Sequence, residues 1–145
     1  MNPLLAALIA LPGLALAEVH EVKMLNRNAT GAMVYEPDFV TAQPGDTIRF
    51  LATDPGHNAA SVAGMLPKGA ARFIGQIDEE IEITLDAAGL YGVKCSPHFA
   101  MGMVMLIRVG DATVSATALP DDLPARARDR FEAILARMTD DGAAQ

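Results

Sequence analysis

Polar and apolar positions alternate in short runs along most of this chain, and the period changes near the C-terminus. His20-Glu21-Val22-Lys23-Met24 has the two-residue repeat of a half-buried strand, and Met33-Val34-Tyr35 follows a turn at Thr30-Gly31. The turn Gln43-Pro44-Gly45-Asp46 leads into Thr47-Ile48-Arg49-Phe50-Leu51-Ala52-Thr53, with Ile48, Phe50 and Ala52 directed at the core. Glu80 to Leu85 alternates again, Leu90-Tyr91-Gly92-Val93 follows a turn at Ala88-Gly89, and Val104 to Val109 forms a last apolar strand. Short strands at this spacing, punctuated by Pro and Gly, predict a mainly β protein built as a β-sandwich. Alternation within the first strand makes His20 an exposed residue, and Ser61 to Ala70, rich in Gly and Pro, reads as a surface loop. From Leu123 to Met138 the spacing becomes helical, with Ala127, Phe131, Ile134, Leu135 and Met138 on one face. Asp122 is placed to cap that helix and Pro124 falls in its first turn. The apolar face predicts packing on the sandwich, and Arg126, Arg130 and Arg137 read as a solvated side interspersed with Asp129 and Glu132.

Composition narrows the class. A chain of 145 residues, 51% hydrophobic and 20% charged, fits one domain with a substantial core. Met1 to Ala17 carries no charged side chain, runs apolar from Leu4 to Leu11, breaks at Pro12-Gly13 and ends Ala15-Leu16-Ala17. This is the pattern of a secretory signal peptide cleaved after Ala17. The apolar run is too short for a spanning helix, so no stable membrane insertion is expected. The expected division is a leader over residues 1–17, a β-sandwich over 18–110, and a helical extension over 111–145 packed on the same domain. A net charge of −7, without basic stripes interleaved with aromatics, argues against nucleic acid as a partner.

The chemistry concentrates in Val93-Lys94-Cys95-Ser96-Pro97-His98-Phe99-Ala100-Met101-Gly102-Met103, which holds the only cysteine. Export favours disulfides, yet a single cysteine cannot make an internal one, and metal ligation explains an unpaired thiol there. Soft sulfur holds Cu(I), imidazole suits both oxidation states, and a long axial thioether tunes the potential. Cys95, His98 and Met103 supply one of each ligand type. A second histidine, His57 in Asp54-Pro55-Gly56-His57-Asn58, lies at a strand end, where a sandwich can bring it to the same rim. The competing readings are a buried, inert Cys95 among gap-filling methionines and a merely solvated turn histidine at position 57. An enzyme is not expected, because four protein ligands leave no open coordination position. A cysteine hydrolase finds no further support beyond Cys95 and His98, and a c-type haem site would need a second cysteine. A copper chaperone or storage protein is the alternative that shares these ligands.

His57-Asn58 and the Cys95 loop, together with Met24-Leu25-Asn26, Gly31-Ala32-Met33-Val34, Glu36-Pro37, Pro44-Gly45-Asp46-Thr47, Gly64-Met65-Leu66-Pro67 and Gly89 to Cys95, resemble the blue-copper cupredoxins and, within them, the pseudoazurins. The resemblance covers nearly the whole mature chain. It implies a Greek-key sandwich with a C-terminal helical extension and one type 1 copper, held by His57, Cys95 and His98 in a trigonal plane with Met103 axial. It implies supporting roles for Asn58, Pro97 and Met33, and an apolar docking patch around His98 that includes Phe99 and Met101. Lys94, Arg27 and Lys68 would steer partners toward that patch, while the acids of Asp78-Glu79-Glu80 are expected to lie away from the ligand loops. The implied function is periplasmic electron transport by a monomer, passing electrons to nitrite reductase in denitrification or exchanging them with a c-type cytochrome.

Overall fold

A computed structural model describes residues 15–113 and 119–143. Most of the predicted leader, residues 1–14, and the part of the predicted extension at 114–118 and 144–145 lie outside the described residues. The strands are β1 (Val19–Asn28), β2 (Gly31–Glu36), β3 (Phe39–Ala42), β4 (Asp46–Leu51), β5 (Ala60–Ser61), β6 (Ile81–Leu85), β7 (Gly89–Lys94) and β8 (Val104–Val109). A 3₁₀ turn spans Ser96–Met101, and one helix, α1, spans Ala125–Ala143. Two four-stranded sheets form, in the orders β2-β1-β4-β6 and β3-β8-β7-β5. Two pairings are parallel, β1 with β4 and β3 with β8. Parallel neighbours cannot be joined by tight hairpins, so the chain crosses between the sheets and sets its long loops at the rims.

The alternation read in the sequence is the alternation of burial. In β4, Ile48 and Phe50 are wholly buried, with Phe50 edge-on to Tyr35 at 5.9 Å between ring centroids. In β8 both faces are covered: Met105, Ile107 and Val109 enter the core between the sheets, whereas Val104 and Leu106 face the second core under α1. That is why β8 reads as an apolar run interrupted only at Arg108. Ala127, Phe131, Ile134, Leu135 and Met138 supply the helix side of this second core.

Four expectations need correction. Helix α1 starts at Ala125, so Asp122 does not cap it; the Pro124 carbonyl accepts the first-turn N–H of Arg128 at 2.9 Å. The solvated side of α1 holds only in part: Arg126 and Arg137 are exposed, with Arg137 paired to Asp38 at 2.7 Å, whereas half-buried Arg130 donates to the backbone carbonyls of Met33 and Ala32 at 2.6 and 3.2 Å and pins the helix to the sandwich. The Ser61 to Ala70 segment is no simple surface loop, because Val62 and Met65 are buried in the second core. Met65 fills space that Gly92 vacates, where an added Cβ would meet the Met65 side chain at 2.8 Å.

His20 is the fourth. It is half-buried, with Nε2 3.0 Å from Asp46 Oδ2. The Asp46 carboxylate also accepts the backbone N–H groups of Glu18 and Gln43, each at 2.9 Å. Hydrogen bonds from the backbone of Gln43 and Glu18, and then from His20, hold the Asp46 carboxyl at about 2, below its ordinary 3.8. A carboxyl lowered on folding stabilises the fold above the unfolded value, and that contribution fades as pH drops toward the folded one. Asp46→Asn is therefore expected to flatten the loss of stability between pH 3.8 and about 2, read by urea denaturation across that range; an unchanged acid slope would assign the acid sensitivity to other carboxylates.

Candidate metal centre

Three strand ends build the site at one rim of the sandwich. The loop after β4 carries His57 and Asn58, the end of β7 delivers Cys95, and the 3₁₀ turn between β7 and β8 presents His98. The turn closes on itself: the Cys95 N–H donates to the Met103 carbonyl at 3.0 Å, and the Met103 N–H donates to the His98 carbonyl at 3.1 Å. Gly102 makes the reversal in the left-handed region at φ 86°, and a Cβ there would meet the Arg126 carbonyl of α1 at 2.8 Å. The helix thus backs the loop directly, and no larger residue fits at that contact.

His57 Nδ1 and His98 Nδ1 stand 3.1 Å apart, and Cys95 Sγ lies 3.8 Å from the former and 3.5 Å from the latter. His57, Cys95 and Met103 are wholly buried, whereas His98 is half-exposed. The outer nitrogen of His57 donates to Asn26 Oδ1 at 2.8 Å, which leaves the Nδ1 lone pair facing Cys95 and His98. Asn26 is fixed in turn by its own N–H, which donates to Asp54 Oδ2 at 2.7 Å. Asn58 joins the two ligand loops: its Oδ1 accepts the Ser96 N–H at 2.6 Å, and its Nδ2 donates to Ser96 Oγ at 3.0 Å and to the Gly75 carbonyl at 2.9 Å. The Tyr35 hydroxyl holds the Asn58 carbonyl at 2.7 Å.

Burial sets the proton equilibria. It pushes the Cys95 thiol up, against a smaller opposite pull from the backbone N–H groups of Asn58 and His98. It pushes His57 down, helped by the neighbouring His98 and opposed by Asp54 and Asp78. His57 is therefore kept as the neutral imidazole that a metal takes up, and a thiolate at Cys95 needs a nearby cation to be stable in this apolar setting. Two imidazole nitrogens and a thiol converging in a largely buried pocket suit a soft to borderline ion, and copper fits this donor set.

The remaining predicted residues divide by exposure. Met103 is enclosed beside the loop, while Met101 is 43% exposed. Pro97 is exposed, and half-buried Phe99 lies under the Lys94 ammonium, 4.9 Å from the ring centroid. Met33 is half-buried, with a left-handed φ of 53°. Arg27 and Lys68 are exposed. One expectation fails here: Asp78 does not lie away from the site. Its Oδ1 accepts the Gly56 N–H at 2.6 Å, and its own N–H donates to the His57 carbonyl at 2.8 Å, so it braces the histidine loop. The positioning groups Asn26, Tyr35, Asp54 and Asp78 carry little local mark in the sequence. An asparagine inside a strand pattern, where that residue is disfavoured, was the one available signal.

The chain matches the family of copper-binding proteins of the plastocyanin/azurin type over residues 22–110. It is 48% identical to a pseudoazurin of Paracoccus pantotrophus over 134 residues, covering 92% of each chain. It is 41% identical to a putative pseudoazurin of Rhizobium leguminosarum bv. viciae, over 92% of this chain and 89% of the other. Among solved structures, the pseudoazurin of Methylobacterium extorquens AM1 superposes with a TM-score of 0.77 at 38% identity, over 83% of this chain and 98% of that one. With a mainly β fold of two sheets and one C-terminal helix, and with this donor set, the chain belongs to the plastocyanin/azurin family of copper-binding proteins, in its pseudoazurin branch, and is a cupredoxin that uses copper for electron transfer.

Proposed function

We propose that this chain is a periplasmic one-electron carrier, not an enzyme, that holds one type 1 copper through His57, Cys95, His98 and Met103 and delivers electrons to a nitrite reductase. The observation that carries this reading is the convergence of His57 Nδ1, Cys95 Sγ and His98 Nδ1 within 4.8 Å of one another in a largely buried pocket. Bound copper supplies the Cu(II)/Cu(I) couple. The chain's own contribution is rigidity: Asn26 fixes His57 from behind, Asn58 ties the two loops, and α1 braces the turn at Gly102. Donors fixed before metal arrives hold one geometry for both oxidation states, which keeps reorganisation small. Among the described residues no helix is long and apolar enough to cross a membrane.

His98 is the one of the three converging ligands that is not fully buried, so its ring edge is the outlet for the electron. Pro97 and Met101 are exposed beside it and Phe99 half-exposed, an apolar surface of the kind that docks a partner briefly. Lys94 flanks that surface, while Asp54 and Asp78 belong to the His57 side, which makes the local field asymmetric. The basic side suits an acidic acceptor. Electron transfer to nitrite reductase is expected to slow as salt rises, and Lys94→Glu is expected to lower the low-salt rate by about tenfold. A rate indifferent to both would remove the basic surface from the docking account.

The test of the site itself is a visible and EPR spectrum of the copper-loaded mature protein. An intense Cu(II)–thiolate absorption that ascorbate bleaches supports the carrier; a colourless protein that holds no copper overturns it. Fast surrender of copper to a Cu(I) chelator would favour the chaperone or storage reading instead.

A further inference from the structure

The far end of the sandwich holds a second cluster of ligating side chains. β4 runs from Asp46 toward the His57 loop, so Asp46 and its neighbours sit about 20 Å along the strand from the copper rim. The parallel register of β1 on β4 sets His20 opposite Ile48 and Val19 opposite Thr47, which brings the start of β1 against Asp46. The ligand atoms of Glu18, His20 and Asp46 all lie within 4.8 Å of one another.

We propose that Glu18, His20 and Asp46 form a second metal site, separate from the copper centre, for a divalent transition ion such as Zn(II). One imidazole and two carboxylates make a borderline donor set that suits such an ion better than Cu(I), which prefers sulfur. His20 Nε2 and Asp46 Oδ2 are 3.0 Å apart. Two donors on a tetrahedral zinc, at about 2.1 Å each, stand about 3.4 Å apart, so an ion can replace the shared proton after a shift of a few tenths of an ångström. Asp46 is 5% exposed, and its carboxylate is already aimed by the Glu18 and Gln43 N–H groups, as outer partners aim a metal-binding carboxylate. Glu18 is exposed and His20 only half-buried, which gives an ion its way in. If the leader is removed after Ala17, the Glu18 nitrogen, 2.9 Å from Asp46 Oδ1, becomes an α-amine and a fourth donor. The three side chains do not depend on that step.

The test is isothermal titration of Zn(II) into mature protein loaded with a single copper per chain, held at the thiolate site and freed of excess copper, with the Cu(II)–thiolate absorption followed in parallel. Zinc is the probe because Cu(II) can also displace amide protons next to a free terminus and so bind without Asp46. The expected result is one zinc per chain with the copper absorption unchanged. His20→Gln is expected to weaken zinc at least tenfold, and Glu18→Gln, which keeps every backbone bond, by a smaller factor. Neither substitution should alter the copper absorption. No zinc uptake, or uptake undiminished in His20→Gln, would overturn the site as diffuse attraction to an acidic surface or displacement of copper. Failure of the copper reading is separately visible, as a missing absorption before any zinc is added.

Discussion

Cys95→Ser is expected to erase the intense visible absorption of the copper-loaded protein and to weaken copper binding by more than about 100-fold. That bound follows from ordinary metal sites, where loss even of an outer hydrogen-bonding partner weakens binding by about 10- to 100-fold. Cys95 stands closer to the centre than any such partner, 3.5 Å from His98 Nδ1 and 3.8 Å from His57 Nδ1. A serine hydroxyl occupies nearly the same space but is a hard donor that stays protonated at neutral pH, so it neither charges the site nor supplies the sulfur orbital from which the absorption arises. The chain contains one cysteine, so no second thiol can take over. The metal-free variant should lose no more than about 1–3 kcal/mol of stability, the cost of burying a hydroxyl, which the ring nitrogens of His57 and His98 beside it can offset as hydrogen-bond partners. Copper competition, visible spectra and urea denaturation read the three quantities on the same samples. A variant that stays intensely coloured would detach the absorption from Cys95 altogether.

The same residue marks how far the sequence could be read. Its flanking loop was legible because sulfur and imidazole ligands were crowded into one short stretch, and His57 because a strand end placed it at a rim. Strand periodicity was legible for the same local reason: in β4 the alternation of Ile48 and Phe50 with Thr47 and Arg49 is a property of consecutive residues. Alternation assigns a face, however, and not a partner. His20 lies where the pattern put it, yet is covered because the parallel pairing with β4 brings Asp46 beside it. Arg130 reads as one more surface charge on the helix, and only the packing of α1 reveals that its guanidinium binds the carbonyls of Met33 and Ala32. Asp78 looked remote from the site because sequence distance hid the fold that returns it to Gly56 and His57. These residues act through contacts between segments far apart in the chain, and local periodicity carries no record of them.

Asn58→Ala tests whether such contacts, rather than the ligands alone, make the centre. Asn58 is 3% exposed, and its side chain makes three hydrogen bonds, to the Ser96 N–H, the Ser96 hydroxyl and the Gly75 carbonyl. Truncation loses all three and strands the Gly75 carbonyl in a buried position. At about 0.5–1.5 kcal/mol for each bond, with an added penalty for a stranded buried group, the fold is expected to lose about 2–4 kcal/mol. The Asn58 backbone stays anchored, because the Tyr35 hydroxyl still holds its carbonyl at 2.7 Å. What comes loose is the Cys95 loop, whose Ser96 N–H no longer has its cross-loop acceptor, and copper affinity is expected to fall by about 10- to 100-fold. Asn58→Asp separates the two halves of the bridge: it keeps an oxygen for the Ser96 N–H but loses the donor to Gly75. If the acceptor half positions the thiol, Asp should retain more copper affinity than Ala even where its buried charge lowers stability further. Urea denaturation of the metal-free protein and copper competition, run on both variants, distinguish these effects. Parent-like stability and affinity in Asn58→Ala would mean that the cysteine loop is held by its own turn and by α1, with the cross-loop bridge contributing little.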